Sequence, residues 1–294
     1  MTVTTASSVL FNVAAGTYAG SLFFHLLKRH RFSCWLLGFG FALHTASQVA
    51  RCCRWGIFSL DGVFNGALFL PWCLALLALL CLLRGRLRDA ASMSWLVAPA
   101  IFITLALPVQ IPPPGPFTAT WSSPMFFCLE VLAIALFLSS GWFAWRQLRR
   151  PDDDLLFNQL AIWGFILYSL AQVVGAVWSY LGWASLFHWG ERHLQSAAIW
   201  CLYCGYLHTH FDRSFDIRRK ARWALTSALV VLVVAYALQV AAHLTVLNPA
   251  KVSGKGSGRG TAHVTAQQQV HGEVPHGAVP GACRNPELAE ESHD

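Results

Sequence analysis

The sequence contains few charged residues for its length. Of its 294 residues, 12% are Asp, Glu, Lys or Arg and 55% are hydrophobic, and its mean hydropathy is +0.48. A water-soluble domain usually carries about a quarter charged residues, because a wettable surface must cover its core. The composition therefore excludes the common soluble enzyme classes. The net charge of +7 comes from short basic clusters between apolar runs, a pattern that also argues against nucleic-acid binding.

The usual signatures of catalysis are absent from the sequence as well. It has no phosphate-binding glycine loop, no HExxH pattern and no GxSxG elbow, so hydrolases and nucleotide-driven pumps lose support. Cys201 and Cys204 have the CxxC spacing, but they lie within an apolar run, where a thiol is expected to behave as a small hydrophobe. Cys283 precedes Arg284 and forms no haem-attachment CxxCH pattern, so the chain itself is not a c-type cytochrome.

Long apolar runs dominate the remaining sequence. A helix needs about 20 apolar residues to cross a bilayer, and continuous apolar runs without alternation favour helices over membrane barrel strands. The expected fold class is therefore all-α, a polytopic membrane helix bundle with about eight transmembrane helices and both termini outside. The eight runs lie at about 8–27, 33–50, 64–83, 94–111, 123–145, 155–180, 194–210 and 223–247.

The distribution of basic residues predicts the orientation of this bundle. Alternate loops, after the first, third, fifth and seventh runs, contain 14 of the 21 Lys and Arg residues. Because such residues accumulate on the cytoplasmic side, both termini are expected outside, in the periplasm of a bacterial inner membrane. The first run lacks a basic segment before it and is interpreted as a retained span. Residues 1–248 are expected to form the bundle, and 249–294, rich in Gly, Ser, His and Gln, a disordered outer tail.

The segment 175–193 is unusually rich in tryptophan. Trp178, Trp183 and Trp189 are expected in or at the edge of a short outer loop. A membrane-interface belt would explain scattered aromatic residues, but it explains a dense loop less well. Such a platform suits a flat, apolar, anionic ligand such as haem, with aromatic faces for the macrocycle, Arg192 for a propionate and imidazoles for the iron.

This segment and the run after it resemble the membrane cytochrome c assembly proteins of the CcsA and CcmC type, haem-handling proteins with a tryptophan-rich outer loop. The resemblance covers about residues 40–245 and is strongest in the 35 residues from Gly175 to Thr209. It implies an intramembrane histidine site for haem and a second site at the outer surface. The residues that match the family pattern in register are Gly175, Trp178, Trp183, Trp189, Trp200, Tyr203, Tyr206, Leu207 and His208.

The sequence also departs from the family pattern. Gly190, Glu191, Arg192 and His193 replace the Asp, Pro, Lys and Glu of the family's loop. Glu130 stands near the fifth span, where the family has an outer histidine ligand. The resemblance then implies His243 as one outer iron ligand, with Glu130, His188 or His193 as the other.

Depth along the helices suggests partners for His208. It lies about 14 residues into its span, and at about 1.5 Å per residue this places it in the inner half of the bilayer. His25, near the inner end of the first span, is at a compatible depth to be its partner. His44, in the second span, is the alternative partner. Alternatively, each of these histidines is a neutral imidazole hydrogen-bonded within the bundle.

The function expected from these features is haem delivery to the outer face for cytochrome c maturation. Haem b would be the cargo, and a second assembly subunit and an apocytochrome c are the expected protein partners, with no nucleic acid. The chain would be at most part of a haem-attachment system, because it has no catalytic motif of its own. Two alternatives remain: an accessory or scaffold subunit with a degenerate haem site, and a small-molecule permease, for which no inverted repeat is evident.

Overall fold

The computed structural model describes residues 3–55, 62–106, 121–150, 155–186, 191–209 and 215–234. These residues form α-helices, with no β-strand among them, as the sequence predicts. The tail at 249–294 lies outside the described residues. The nine helices are α1 (Val3–Leu26), α2 (His30–Trp55), α3 (Gly62–Leu83), α4 (Leu87–Ser92), α5 (Ser94–Ala106), α6 (Ser122–Arg149), α7 (Leu156–Trp183), α8 (Glu191–His208) and α9 (Ile217–Leu232).

Four helical segments are long and apolar enough to cross a membrane. They are Ala6–Leu26, Leu87–Ala106, Ser122–Arg149 and Leu156–Gly182. Helices suit this environment because they satisfy their own backbone hydrogen bonds where no water is present. The chain is a helical membrane protein; the number of eight spans and the positions of the termini remain expectations.

The first two helices pack along a seam of serine hydroxyls. Ser7 and Ser47 share hydrogen bonds at one end of the α1–α2 pair. Ser21, Ser33 and Ser94 form a buried triad that ties α5 to the pair. Small polar side chains of this kind let helices approach closely and hydrogen-bond within a membrane.

The second half of the bundle is built around α6, which packs against α7, α9 and α3. Gly141 allows the closest approach, because a Cβ atom placed there would collide with the Cβ of Ala228 on α9. Gly164 of α7 accommodates the ring of Phe137 of α6 in the same way. The buried core of α6 includes Phe126, Phe137 and Phe143.

Helix boundaries differ from the expected spans in two informative places. A short helix, α4, occupies the basic connection between the third and fourth runs, where Arg146 of α6 donates a 2.7 Å hydrogen bond to Asp89. Helix α7 continues to Trp183 instead of ending at 180, because the apolar sequence there has no proline and the chain turns only at Ala184, in a left-handed conformation (φ 53°). The aromatic connection is therefore shorter than expected.

The contact at Gly141 leads to a stability prediction. Gly141→Ala should lower the free energy of unfolding by about 1 to 3 kcal/mol, because the added methyl group overpacks the α6–α9 contact. Gly16→Ala is the matched control, since a Cβ there meets nothing within 4 Å. Alanine also has a higher helix propensity than glycine, so this variant should not be destabilised. Thermal unfolding of both variants in detergent measures the difference. An unchanged Gly141→Ala protein would show that α6 and α9 do not approach this closely.

Candidate functional site: one face of α8 and the cavity beside it

Helix α8 separates its side chains into a buried face and an accessible face. At 3.6 residues per turn, Ser196, Ile199, Tyr203 and Tyr206 fall on one side, and all four are buried. A second set of residues forms a stripe within an arc of about 80°, centred about 120° around the helix axis from the buried side. This stripe, called the α8 face below, contains His193, Ala197, Trp200, Cys204 and His208.

The buried tyrosines fix the rotation of α8. Tyr203 stacks on Phe137 of α6 with ring centroids 3.5 Å apart. The hydroxyl of Tyr206 donates a 3.0 Å hydrogen bond to Oδ1 of Asn158 on α7. Because these two contacts anchor one side of the helix, they fix the direction in which the α8 face points.

A cavity of about 310 Å³ lies between α6, α7 and the first half of the α8 face. We call it the α7–α8 cavity. Its volume is at the lower end of the range for ligand pockets, and its lining combines aromatic surface with a few polar groups. The residues that define it are Phe126, Gln172, Trp178, Leu186, His193 and Trp200.

One polar group in this cavity has no partner among the described residues. The Nε2 atom of Gln172 is buried and makes no hydrogen bond there. An unsatisfied buried donor costs about 1 to 3 kcal/mol, so it is a group that an acceptor on a ligand would satisfy.

The tryptophans of the motif occupy different surroundings. Trp178 lies within α7, where its ring stacks on Phe126 at 6.0 Å and meets Phe127 edge-on at 5.9 Å. Trp200 of α8 lies across the same cavity and donates a 3.1 Å hydrogen bond to Ser169. Trp183 is the last residue of α7, and its side chain lies outside the described part, as does all of Trp189.

The structure distinguishes between the proposed outer ligands. His193 lines the α7–α8 cavity, whereas Glu130 lies one turn along α6 from Phe126 and is not part of its lining. His188 and His243 lie outside the described residues, and so does the side chain of Arg192 at the start of α8. Among the described candidates, His193 is the one that faces the aromatic cavity.

His208, near the C-terminal end of α8, is exposed and held in a defined tautomer. Its Nδ1 atom lies 2.8 Å from the carbonyl oxygen of Cys204. A carbonyl oxygen only accepts, so Nδ1 is the donor, and the lone pair of the neutral ring is on Nε2. Metal-binding histidines are oriented by the same kind of backbone hydrogen bond. His208 lies 15 residues beyond His193, about 22 Å along the axis.

The two suggested partners of His208 have other neighbours. His44 is fully buried between α1 and α2, with Phe11 and Tyr18 edge-on to its ring and Gln48 3.3 Å from its Nε2. His25 lies near the end of α1, with its ring centroid 5.3 Å from that of His30. Neither histidine lines the α7–α8 cavity. His44 thus matches the alternative of an imidazole packed within the bundle.

Sequence analysis singled out neither Phe126 nor Gln172 as a site residue. Phe126 precedes Glu130 by one helical turn on α6, and its role is set by Gly175 of α7, where a Cβ would come within 2.8 Å of the Phe126 ring. Gly175, which matches the family pattern, was the available signal, because a glycine within a helix can mark the close approach of a neighbouring group. No feature of the local sequence identifies which neighbour that is.

The fold and this site define a polytopic helical membrane protein with a histidine- and tryptophan-lined face. No family model matches the chain. Proteins named cytochrome c biogenesis protein CcsA are similar to it over 84 residues: 36% identical for Prochlorococcus marinus (strain MIT 9303), 34% for Synechococcus sp. (strain WH7803) and 33% for Synechococcus sp. (strain RCC307).

Each of these matches covers 29% of this chain and 26% of the relative, so the chain spans about a quarter of the length of the curated relatives it matches. The resemblance to cytochrome c assembly proteins noted in the sequence is thereby confirmed over the matched segment of 84 residues. Over the matched segment, the chain is a divergent relative of the cytochrome c assembly proteins.

The unsatisfied amide of Gln172 leads to a prediction for the ligand-free protein. Gln172→Leu should raise the free energy of unfolding by about 1 kcal/mol, because it removes a buried donor while conserving volume. Asn158→Leu is the comparison, since it deprives the Tyr206 hydroxyl of its acceptor and should destabilise by a similar amount. Thermal unfolding in detergent compares them. Equal losses of stability in both variants would contradict the assignment of Gln172 as an unpaired group.

Proposed function

We propose that this protein binds haem at the α8 face and serves cytochrome c biogenesis by holding haem for transfer at the membrane surface. The observation that carries the proposal is the α8 face itself, on which His193, Trp200 and His208 share one stripe of a helix anchored by buried tyrosines. The similarity to proteins named cytochrome c biogenesis protein CcsA supports a role in cytochrome c biogenesis.

The α7–α8 cavity is suited to one edge of a flat macrocycle. Trp178 and Trp200 line it from neighbouring helices, and Leu186 adds apolar surface. Because the volume is only about 310 Å³, the apolar edge of haem would enter while the propionate edge stays outside. Arg192, next to His193 in the sequence, would there offset a propionate charge. When bound, haem supplies an iron atom that accepts axial imidazole ligands.

The two histidines of the α8 face would act at different depths. At about 22 Å apart along the helix they cannot ligate the same iron, so they support two haem positions rather than one. His193 with the cavity would form the outer position. His208, whose lone pair lies on Nε2 in this tautomer, would form the inner one. His25 and His44 are not included, because their neighbours belong to α1 and α2.

In this account the chain presents haem and does not attach it. Attachment to an apocytochrome would require a partner subunit, since the chain has no catalytic motif of its own. We place the protein in a bacterial inner membrane with both termini in the periplasm, on the grounds of the basic residues in alternate loops.

The aromatic cavity leads to a binding prediction. The full chain, purified in mild detergent and mixed with haem, should give a Soret band. Trp178→Leu should weaken haem binding about threefold to tenfold, because a stacking ring contributes roughly 1 kcal/mol beyond its buried area. Trp163→Leu is the matched control, since Trp163 lies on the same helix, is 59% exposed and does not line the cavity. Equal affinities for the two variants would exclude the cavity as the haem site.

The two-level arrangement leads to a separate spectroscopic prediction. His193→Ala and His208→Ala should each remove part of the bound haem, and the double variant should lose both parts additively, because the two positions are independent. Haem titration followed by visible absorption measures the stoichiometry. A complete loss in either single variant would show one shared site instead.

A second candidate function is an accessory subunit whose haem site is no longer used. The observation that favours it is the packing of Trp178 on Phe126 and Phe127, which holds the ring within the bundle. Folded protein with no Soret band after haem addition would establish this alternative, together with an unchanged cytochrome c yield in the His208→Ala strain.

A further inference from the structure

A second and larger cavity lies at the other end of the bundle. Its volume is about 990 Å³, and it opens where α1 and α6 end and where α2 and α7 begin. We call it the α1–α6 cavity. Leu156 of α7 lines it, whereas Trp178, 22 residues further along the same helix, lines the α7–α8 cavity. The two cavities are thus about 33 Å apart along α7.

The lining of the α1–α6 cavity is strongly basic. Lys28, Arg88, Arg149 and Arg150 contribute positive charges, and Arg146 adds a fifth. Among the described residues, Asp89 is the one acidic residue of the lining, and it is already engaged by Arg146 at 2.7 Å and by Arg86 at 3.6 Å. Within the described part of the chain, the remaining cations therefore line the cavity without a second carboxylate beside them.

Two imidazoles add donors to the same cavity. The rings of His25 and His30 lie side by side, and the Nδ1 atom of each is buried without a hydrogen-bond partner among the described residues. Buried polar atoms in a folded protein are normally satisfied. Oxygen atoms of an anionic group would satisfy both.

The backbone holds Lys28 at the rim of this cavity in a conformation that glycine usually adopts. Lys28 has φ 59° and closes α1, with its own N–H bonded to the carbonyl of His25 and that of Arg29 bonded to Phe24. The same pair of bonds closes α3, but there the left-handed residue is Gly85. A left-handed non-glycine residue is strained, so a lysine at this turn points to a role for its side chain.

Aromatic residues place the cavity at the level of the membrane interface. Trp95 and Trp142 stack at 6.3 Å, and Trp145 lies beside Trp142 at 5.0 Å with the Arg149 guanidinium above its ring. Tryptophan collects at the headgroup level of bilayers. Basic pockets between transmembrane helices at that level bind lipid headgroups.

From these observations we infer that the α1–α6 cavity binds the phosphate-bearing headgroup of an anionic membrane lipid. The cations and imidazoles contact the phosphate oxygens, and the tryptophans pack against the glycerol and the upper acyl chains. The bilayer supplies this ligand at high local concentration. The assignment is independent of haem binding at the α8 face, because it uses different residues at the other end of the bundle.

Lipid retention tests this inference. The full chain is reconstituted in nanodiscs of phosphatidylcholine with about 10 mol % phosphatidylglycerol, which represents a membrane leaflet with few anionic lipids. The protein is then released into detergent, and the lipid that remains bound is measured by native mass spectrometry. Phosphatidylglycerol should be retained in preference to phosphatidylcholine. The double variant Arg88→Gln/Arg149→Gln should lose about 25-fold in affinity, or about fivefold for each cation.

Arg218→Gln is the matched control, because Arg218 is exposed on α9 and does not line the cavity. It should change lipid retention by less than about twofold, because salt largely screens a remote surface charge. Equal losses in the control and the double variant would overturn the inference. Displacement of the lipid by inorganic phosphate as effectively as by short-chain phosphatidylglycerol would also overturn it, because the site would then bind free phosphate. A third contrary result would be a haem Soret band that the Arg88→Gln/Arg149→Gln variant loses, because the cavity would then bind haem.

Lys28→Gly separates a ligand role from a structural one. The substitution should raise the unfolding temperature of the lipid-free protein, because glycine adopts the left-handed conformation without strain, and it should also weaken phosphatidylglycerol retention about fivefold. Raised stability with unchanged retention would show that Lys28 does not contact the headgroup and would contradict the inference.

Discussion

The stacking of Tyr203 on Phe137 determines which way α8 faces, and both haem positions proposed on that helix depend on it. With ring centroids 3.5 Å apart and Tyr206 bonded to Asn158, the buried side of α8 has one favoured rotation. The flank of the helix about 120° around its axis then carries His193, Trp200 and His208 as one stripe, in which His193 is half-buried and the other two are exposed. A rotation of α8 by about a third of a turn would bury these residues and expose the tyrosines instead.

Close packing by small residues makes this arrangement possible in a membrane environment. Water does not drive helices together in lipid, so contact area and interhelical hydrogen bonds must do so. Gly141 and Gly164 admit Ala228 and Phe137, and serine hydroxyls join α1, α2 and α5. The rigid core formed by α6 and α7 provides the wall against which the aromatic cavity is built, with Gly175 making room for Phe126.

Much of the secondary structure followed from the sequence, because long apolar runs and basic clusters are local signals. His208 and the aromatic motif were also recognisable locally. The sequence could not show that Trp178 stacks on Phe126, that His44 is enclosed by α1, or that Asp89 meets Arg146 57 residues away, since each depends on how helices rotate and pair. The extension of α7 to Trp183 was missed because the boundary depends on a single left-handed residue, Ala184.

The central claim is that the accessible side of α8 receives haem beside Trp178 and Trp200. A density map of the full chain loaded with haem in lipid nanodiscs tests it most directly. The account predicts planar density with its apolar edge between these two indoles and His193 facing the iron. Planar density in the basic cavity at the other end of the bundle, with the two indoles closed against their neighbours, would contradict it.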